Sequence, residues 1–132
     1  MNVVDHIGIA VRSIAERAAL YRILGLEVGG EEEVATEKVK VAFLPAEGTR
    51  VELLEPTAPD SPIASFLSKR GEGIHHICFR VSDIRTTMSE LKARGFRLLS
   101  EEPRPGAEGT LVCFIHPSSG GGVLIELSQH GG

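Results

Sequence analysis

Residues 74–81 read IHHICFRV, and their alternation is that of a β-strand. Ile77, Phe79 and Val81 point to one face; His76, Cys78 and Arg80 point to the other. The first face is apolar and suits a core. The second carries a histidine that a core has no need of. Near the start of the chain, residues 5–11 (DHIGIAV) repeat the pattern. There Ile7, Ile9 and Val11 share one face, opposite His6, Gly8 and Ala10. Two histidines at matching positions of two copies predict one duplicated site.

Working outward, the rest of the chain repeats as well. A first strand over 3–11 leads into a helix over 14–23, with Ser13 as N-cap, Glu16 completing a capping box and Gly25 as the stop. Strands follow at 26–33, 37–45 and 49–56. Residues 57–73 form a linker, preceded by Pro56 and punctuated by Pro59 and Pro62, with a short helix over 63–69 capped by Ser61. Then the order restarts: a strand at 74–81, a helix over 84–94 ended by Gly95, and strands at 96–101, 110–116 and 123–128. His6, Ile7, Val11, Ile14 and Gly25 recur as His76, Ile77, Val81, Ile84 and Gly95. The expected fold is α+β. Two tandem βαβββ modules (about 1–56 and 74–132) form a curved eight-stranded mixed sheet around the site, with the helices outside. The whole chain reads as one domain.

Composition narrows the function. The chain has 132 residues, 42% of them hydrophobic, and a formal charge of −4. That supports one globular core, and scattered basic residues argue against nucleic acid as a partner. No apolar run is long enough to span a bilayer, and no secretory pattern is read at Met1. Cys78 and Cys113 lie inside expected strands without CxxC spacing, which fits free thiols in a reducing cytoplasm.

The last strands of the two copies, VELLEP and LIELSQ, set Glu52 against Glu126. Two histidines and two carboxylates on one face suit a divalent ion: imidazole favours Zn, Fe, Co and Ni, and carboxylate adds charge. His6, His76, Glu52 and Glu126 are therefore the expected ligands. The ordinary alternative for any one of them is a solvated or hydrogen-bonded strand residue. His75 has the wrong parity and belongs at the rim. His116 either lines that rim or is a plain turn residue, and His130 is surface tail. Asp60 and the run Glu31–Glu33 read as solvated loop charge. Gly120–Gly122 is a tight turn and not a phosphate loop, since no helix or Lys-Ser/Thr follows it.

DHIGIAV, SPIASFL with GEGIHHICFRVSDI, SEEP, GAEG and FIHPSSGGGVLIELSQ together resemble the vicinal oxygen chelate superfamily and, within it, the methylmalonyl-CoA epimerases. The resemblance implies paired βαβββ modules around a divalent metal (Co, Ni, Zn, Mn or Fe). It implies interconversion of (2R)- and (2S)-methylmalonyl-CoA through a metal-stabilised enolate. It makes Glu126 both ligand and one of two bases, and it implies a homodimer. Some members carry a second, glutamate base on the third strand. The matching position here is Lys40, which is expected to act as that base, to bind the substrate carboxylate or to be an ordinary exposed lysine, with Glu37 a further possibility for the base. Rival readings are glyoxalase I, an extradiol dioxygenase and a metal-free drug-sequestering protein. The complete His/Glu set weighs against the last.

Overall fold

Three polar side chains start the three α-helices found among the described residues. In the computed structural model, which describes residues 3–131, Ser13 Oγ accepts from the Glu16 amide at 3.2 Å, Ser61 Oγ from Ile63 at 3.1 Å and Asp83 Oδ1 from Thr86 at 3.1 Å. Each satisfies an amide that the first turn leaves without a helical partner. The helices are α1 (Ile14–Ile23), α2 (Pro62–Arg70) and α3 (Ile84–Ala93). Gly25 and Gly95 end α1 and α3 at φ 91° and 85°, a left-handed backbone that favours glycine. None of these helices is long and apolar enough to cross a membrane. The reading made at Met1 lies outside the described residues.

Ser61 is 1% exposed. Ser61→Ala removes the cap and leaves a buried amide without its acceptor. We expect a loss of about 1–2 kcal/mol, seen as a lower Tm by calorimetry.

One compact unit is His6–His75. It holds β1 (Val3–Ala10) from His6 onward, α1, β2 (Gly30–Val34), β3 (Val39–Ala46), β4 (Thr49–Pro56) and α2. The strand order is β2-β3-β4-β1, with β1 and β4 parallel and the other pairs antiparallel. Both faces of this sheet are covered. Ile63 and Leu67 of α2 pack on Ala10, Val39, Val41 and Leu54, while Ile14 and Ala18 of α1 pack on Ala42, Leu44 and Leu53.

The other unit comprises the described residues of Met1–Asp5 and His76–Gly132. It carries β5 (Gly73–Arg80) from His76, α3, β6 (Arg104–Pro105), β7 (Leu111–Ile115) and β8 (Ile125–Gln129), in the order β5-β8-β7-β6. Strands β5 and β8 are parallel; the other two pairs are antiparallel. Ile84 and Met88 of α3 pack on Cys113, Ile115 and Leu127. Each unit therefore shows the strand–helix–strand–strand–strand order of the repeat.

The copies agree in detail. Glu55 Oε1 accepts from the Ile14 amide at 2.8 Å, and Gln129 Oε1 accepts from Ile84 at 2.8 Å. In each unit the residue three beyond the strand glutamate thus supports the start of that unit's helix.

Several boundaries differ from the sequence reading. Strand β2 begins at Gly30 and not at residue 26, because Leu26 donates back to Tyr21 at 2.8 Å and, with Val28, packs beside α1. The run Glu31–Glu33 consequently lies in a strand and not a loop. The strand expected at 96–101 shrinks to a single bridge, Leu98 to Ile115. Strand pairing resumes only at Arg104–Pro105; in between, the Ser100 hydroxyl donates to the Glu102 carbonyl at 2.7 Å, and Pro103 offers no amide to a ladder. The last strand starts at Ile125 because Gly122 and Val123 are still turning, donating to Pro117 and Gly120.

Candidate active site

In the first unit Gly8 is the register partner of Glu52, so His6, two residues before Gly8, lies on the same face as that glutamate. His6 Nδ1 is 3.2 Å from Glu52 Oε2. In the second unit Cys78 is the register partner of Glu126, with His76 two residues before it. His76 Nε2 is 2.9 Å from Glu126 Oε1. His6, Glu52, His76 and Glu126 are all buried, at 6%, 4%, 5% and 7% exposure. A buried carboxylate is costly unless it is matched. Each unit matches its own with an imidazole.

Directly across the neighbouring strand, Phe43 faces Glu52 and Phe114 faces Glu126. Phe114 stands edge-on to the His76 ring at 5.9 Å between centroids. Arg50 belongs to the first unit alone. Its Nε donates to Glu52 Oε2 at 2.8 Å, and its guanidinium lies 4.7 Å from the Phe43 ring centroid. The sequence reading gave Arg50 no part in the site, although its place two residues before Glu52 put it on that face. Imidazole nitrogens and carboxylate oxygens, buried and fixed on paired strands, fit a divalent ion by donor chemistry.

Lys40 requires a correction. Its register partner is Glu55, whereas Glu52 is paired with Phe43. Strand alternation therefore points Lys40 to the opposite face from Glu52. There its ammonium sits 3.2 Å from Glu31, and that contact raises its pKa. Lys40 is an exposed cation in an ion pair. Glu37 closes a short 3-10 turn (Ala35–Glu37) before β3 begins.

His75 packs edge-on against Phe66 at 5.1 Å. His116 accepts from the Ser118 amide through Nδ1 at 3.0 Å, as a turn residue does. His130 is not a free tail residue: its Nε2 is 2.9 Å from Oδ1 of the buried Asp5, which Arg80 also contacts at 2.9 Å. Asp60 is paired with Lys38, which holds its carboxyl below the usual value.

Both cysteines are free and buried. Burial, reinforced by the nearby Glu126, pushes the Cys113 thiol up to about 11 from its usual 9.0. The neutral buried thiol contributes its full stability below pH 9.0. That contribution is lost as pH rises toward 11, because the unfolded chain then releases a proton the folded chain keeps. Urea midpoints should fall across that window, and Cys113→Ala should flatten the slope.

Comparison with known proteins adds the family context. Residues 5–114 match the family model described as the Glyoxalase/Bleomycin resistance protein/Dioxygenase superfamily. The chain is 44% identical over 128 residues to the ethylmalonyl-CoA/methylmalonyl-CoA epimerase of Cereibacter sphaeroides, covering 95% of this chain and 96% of that protein. It is 42% identical over 127 residues to the mitochondrial methylmalonyl-CoA epimerase of Bos taurus, covering 95% of this chain and 73% of the relative. Among solved structures it is similar to a variant of the Streptomyces coelicolor methylmalonyl-CoA epimerase in complex with 2-nitronate-propionyl-CoA. That likeness has a TM-score of 0.92 at 36% identity and covers 98% of each chain.

Proposed function

Since the chain belongs to the glyoxalase superfamily and, within it, to the methylmalonyl-CoA epimerase family, we propose that it interconverts the (2R) and (2S) epimers of methylmalonyl-CoA with the help of one divalent ion. His6, Glu52, His76 and Glu126 are the ligands in this reading. The observation that supports it most is the repeated buried pair, His6 with Glu52 and His76 with Glu126.

Carbon 2 lies between a thioester and a carboxylate, which makes its C–H acidic, though not acidic enough for an unaided carboxylate. A divalent ion, when bound, supplies Lewis-acid stabilisation as negative charge spreads onto the thioester oxygen. Glu126 takes the C2 proton from one face. A second acid on the other side of that carbon returns a proton there and inverts the centre, and solvent then restores both groups to their starting protonation. The low exposure of Glu126 keeps bulk water from competing for that proton. Methylmalonyl-CoA is the substrate in this reading, the free buried thiols Cys78 and Cys113 fit the cytoplasm it assigns, and a homodimer is proposed with it.

Lys40 has no part in the proton transfer, because it projects from the other face of β3. Lys40→Ala should leave turnover within about twofold of wild type, the range of an ordinary surface substitution. A large loss in coupled-assay rates would restore Lys40 as a base.

The reading is tested by proton NMR of methylmalonyl-CoA in deuterated water, with metal-loaded protein and a chelated control. Rapid loss of the C2 proton only in the loaded sample is expected. No exchange in a sample confirmed to hold metal would overturn the assignment.

A further inference from the structure

The duplicated site is not symmetric. Both units place a phenylalanine directly across from the strand glutamate, and both set a histidine nitrogen against that glutamate. Two residues before the glutamate, however, the first unit has Arg50 and the second has Leu124. We propose that Arg50 is a positioning residue, which holds Glu52 in the orientation needed to ligate the divalent ion. This rests on the metal-dependent reading of the site above.

The geometry argues for positioning over incidental surface pairing. Arg50 Nε and His6 Nδ1 both address Glu52 Oε2, at 2.8 Å and 3.2 Å. Two directed contacts on one oxygen restrict rotation of the carboxylate about its own bond. Arg50 is itself restrained: its guanidinium rests on the Phe43 ring at 4.7 Å, and only 21% of its side chain is exposed. An ion pair held this way loses little to solvent screening, and the charge-assisted hydrogen bond is a strong one. A lysine has a point charge on a flexible stem and would give neither the planar fork nor the stacked plane. In the second unit the matching ring, Phe114, stands edge-on to His76. The two halves thus use the same ring position to support different partners.

Groups that orient metal ligands from behind typically contribute about 10–100-fold in metal affinity. Calorimetric titration of the metal-free full-length protein with Co²⁺ reads this without substrate. Arg50→Met should weaken Co²⁺ binding by about 10–100-fold and shift the visible Co²⁺ absorption, with circular dichroism of the metal-free variant checking that it is folded at the titration temperature. Arg50→Lys should recover only part of the affinity. Phe43→Leu, which removes the stacked ring and leaves Arg50 in place, should fall between wild type and Arg50→Met. Leu124→Met, at the matched position of the other unit, should change nothing.

Unaltered Co²⁺ affinity and absorption in Arg50→Met would overturn the proposal, as would full recovery by lysine. A wild-type protein that binds Co²⁺ and exchanges the C2 proton, beside an Arg50→Met variant that binds Co²⁺ equally well, defeats the Arg50 inference alone. A wild-type protein that takes up no Co²⁺ defeats the metal-dependent reading and the Arg50 inference with it.

Discussion

Glu126→Gln is expected to lower the rate of C2 proton exchange by about 10²–10⁴-fold, the usual contribution of a positioned acid–base group. Glutamine keeps an oxygen donor and nearly the same volume, so the variant should still fold and still take up a divalent ion. What it loses is the ability to accept a proton. The matching change in the first unit, Glu52→Gln, provides the contrast. Glu52 is held by Arg50 and His6 on one oxygen, and the proposed reading gives it the role of a fixed ligand. That variant should lower metal affinity more than it lowers the exchange rate measured at saturating metal. If the two glutamine variants lost exchange equally at saturating metal, the division of labour between the carboxylates would fall.

Removal of the metal is the second large effect. A chelated protein should lose at least the roughly 10²–10³-fold that loss of one preorganised oxyanion stabiliser costs, and added Co²⁺ should restore the rate. His6→Ala and His76→Ala should each reproduce the chelated state, because each removes a buried imidazole from one of the two pairs. The measurement is exchange rate against free Co²⁺ concentration. Restoration of wild-type exchange in either variant at Co²⁺ levels that saturate the native protein would remove that histidine from the ligand set.

The sequence by itself carried the repeat, the faces of the first and last strands of each copy, and the helix starts and stops. All of these are local signals. Strand alternation places His6 with Gly8 and His76 with Cys78 whatever lies beside them. A cap such as Ser13 or Ser61 acts on an amide two or three residues away. Helix stops at Gly25 and Gly95 need only a left-handed backbone at one residue.

Relations between strands needed the tertiary structure. Alternation in β3 separates Lys40 from Val41 and Phe43, but only pairing with β4 decides which of them shares a face with Glu52. That pairing sets Phe43 there and turns Lys40 away. A slip of one residue would have reversed the assignment, and nothing local to β3 prevents one. Arg50 was visible on the face of Glu52, yet its stacking on Phe43 depends on the neighbouring strand. The link between His130 and Asp5 joins residues near opposite ends of the chain. The strand expected at 96–101 also turned on a neighbour: only Leu98 finds a bridge partner, Ile115, and beyond it the Ser100 hydroxyl donates to the Glu102 carbonyl at 2.7 Å. Side-chain direction along one strand is a property of the backbone pleat, whereas what stands opposite it is fixed by contacts between segments distant in sequence.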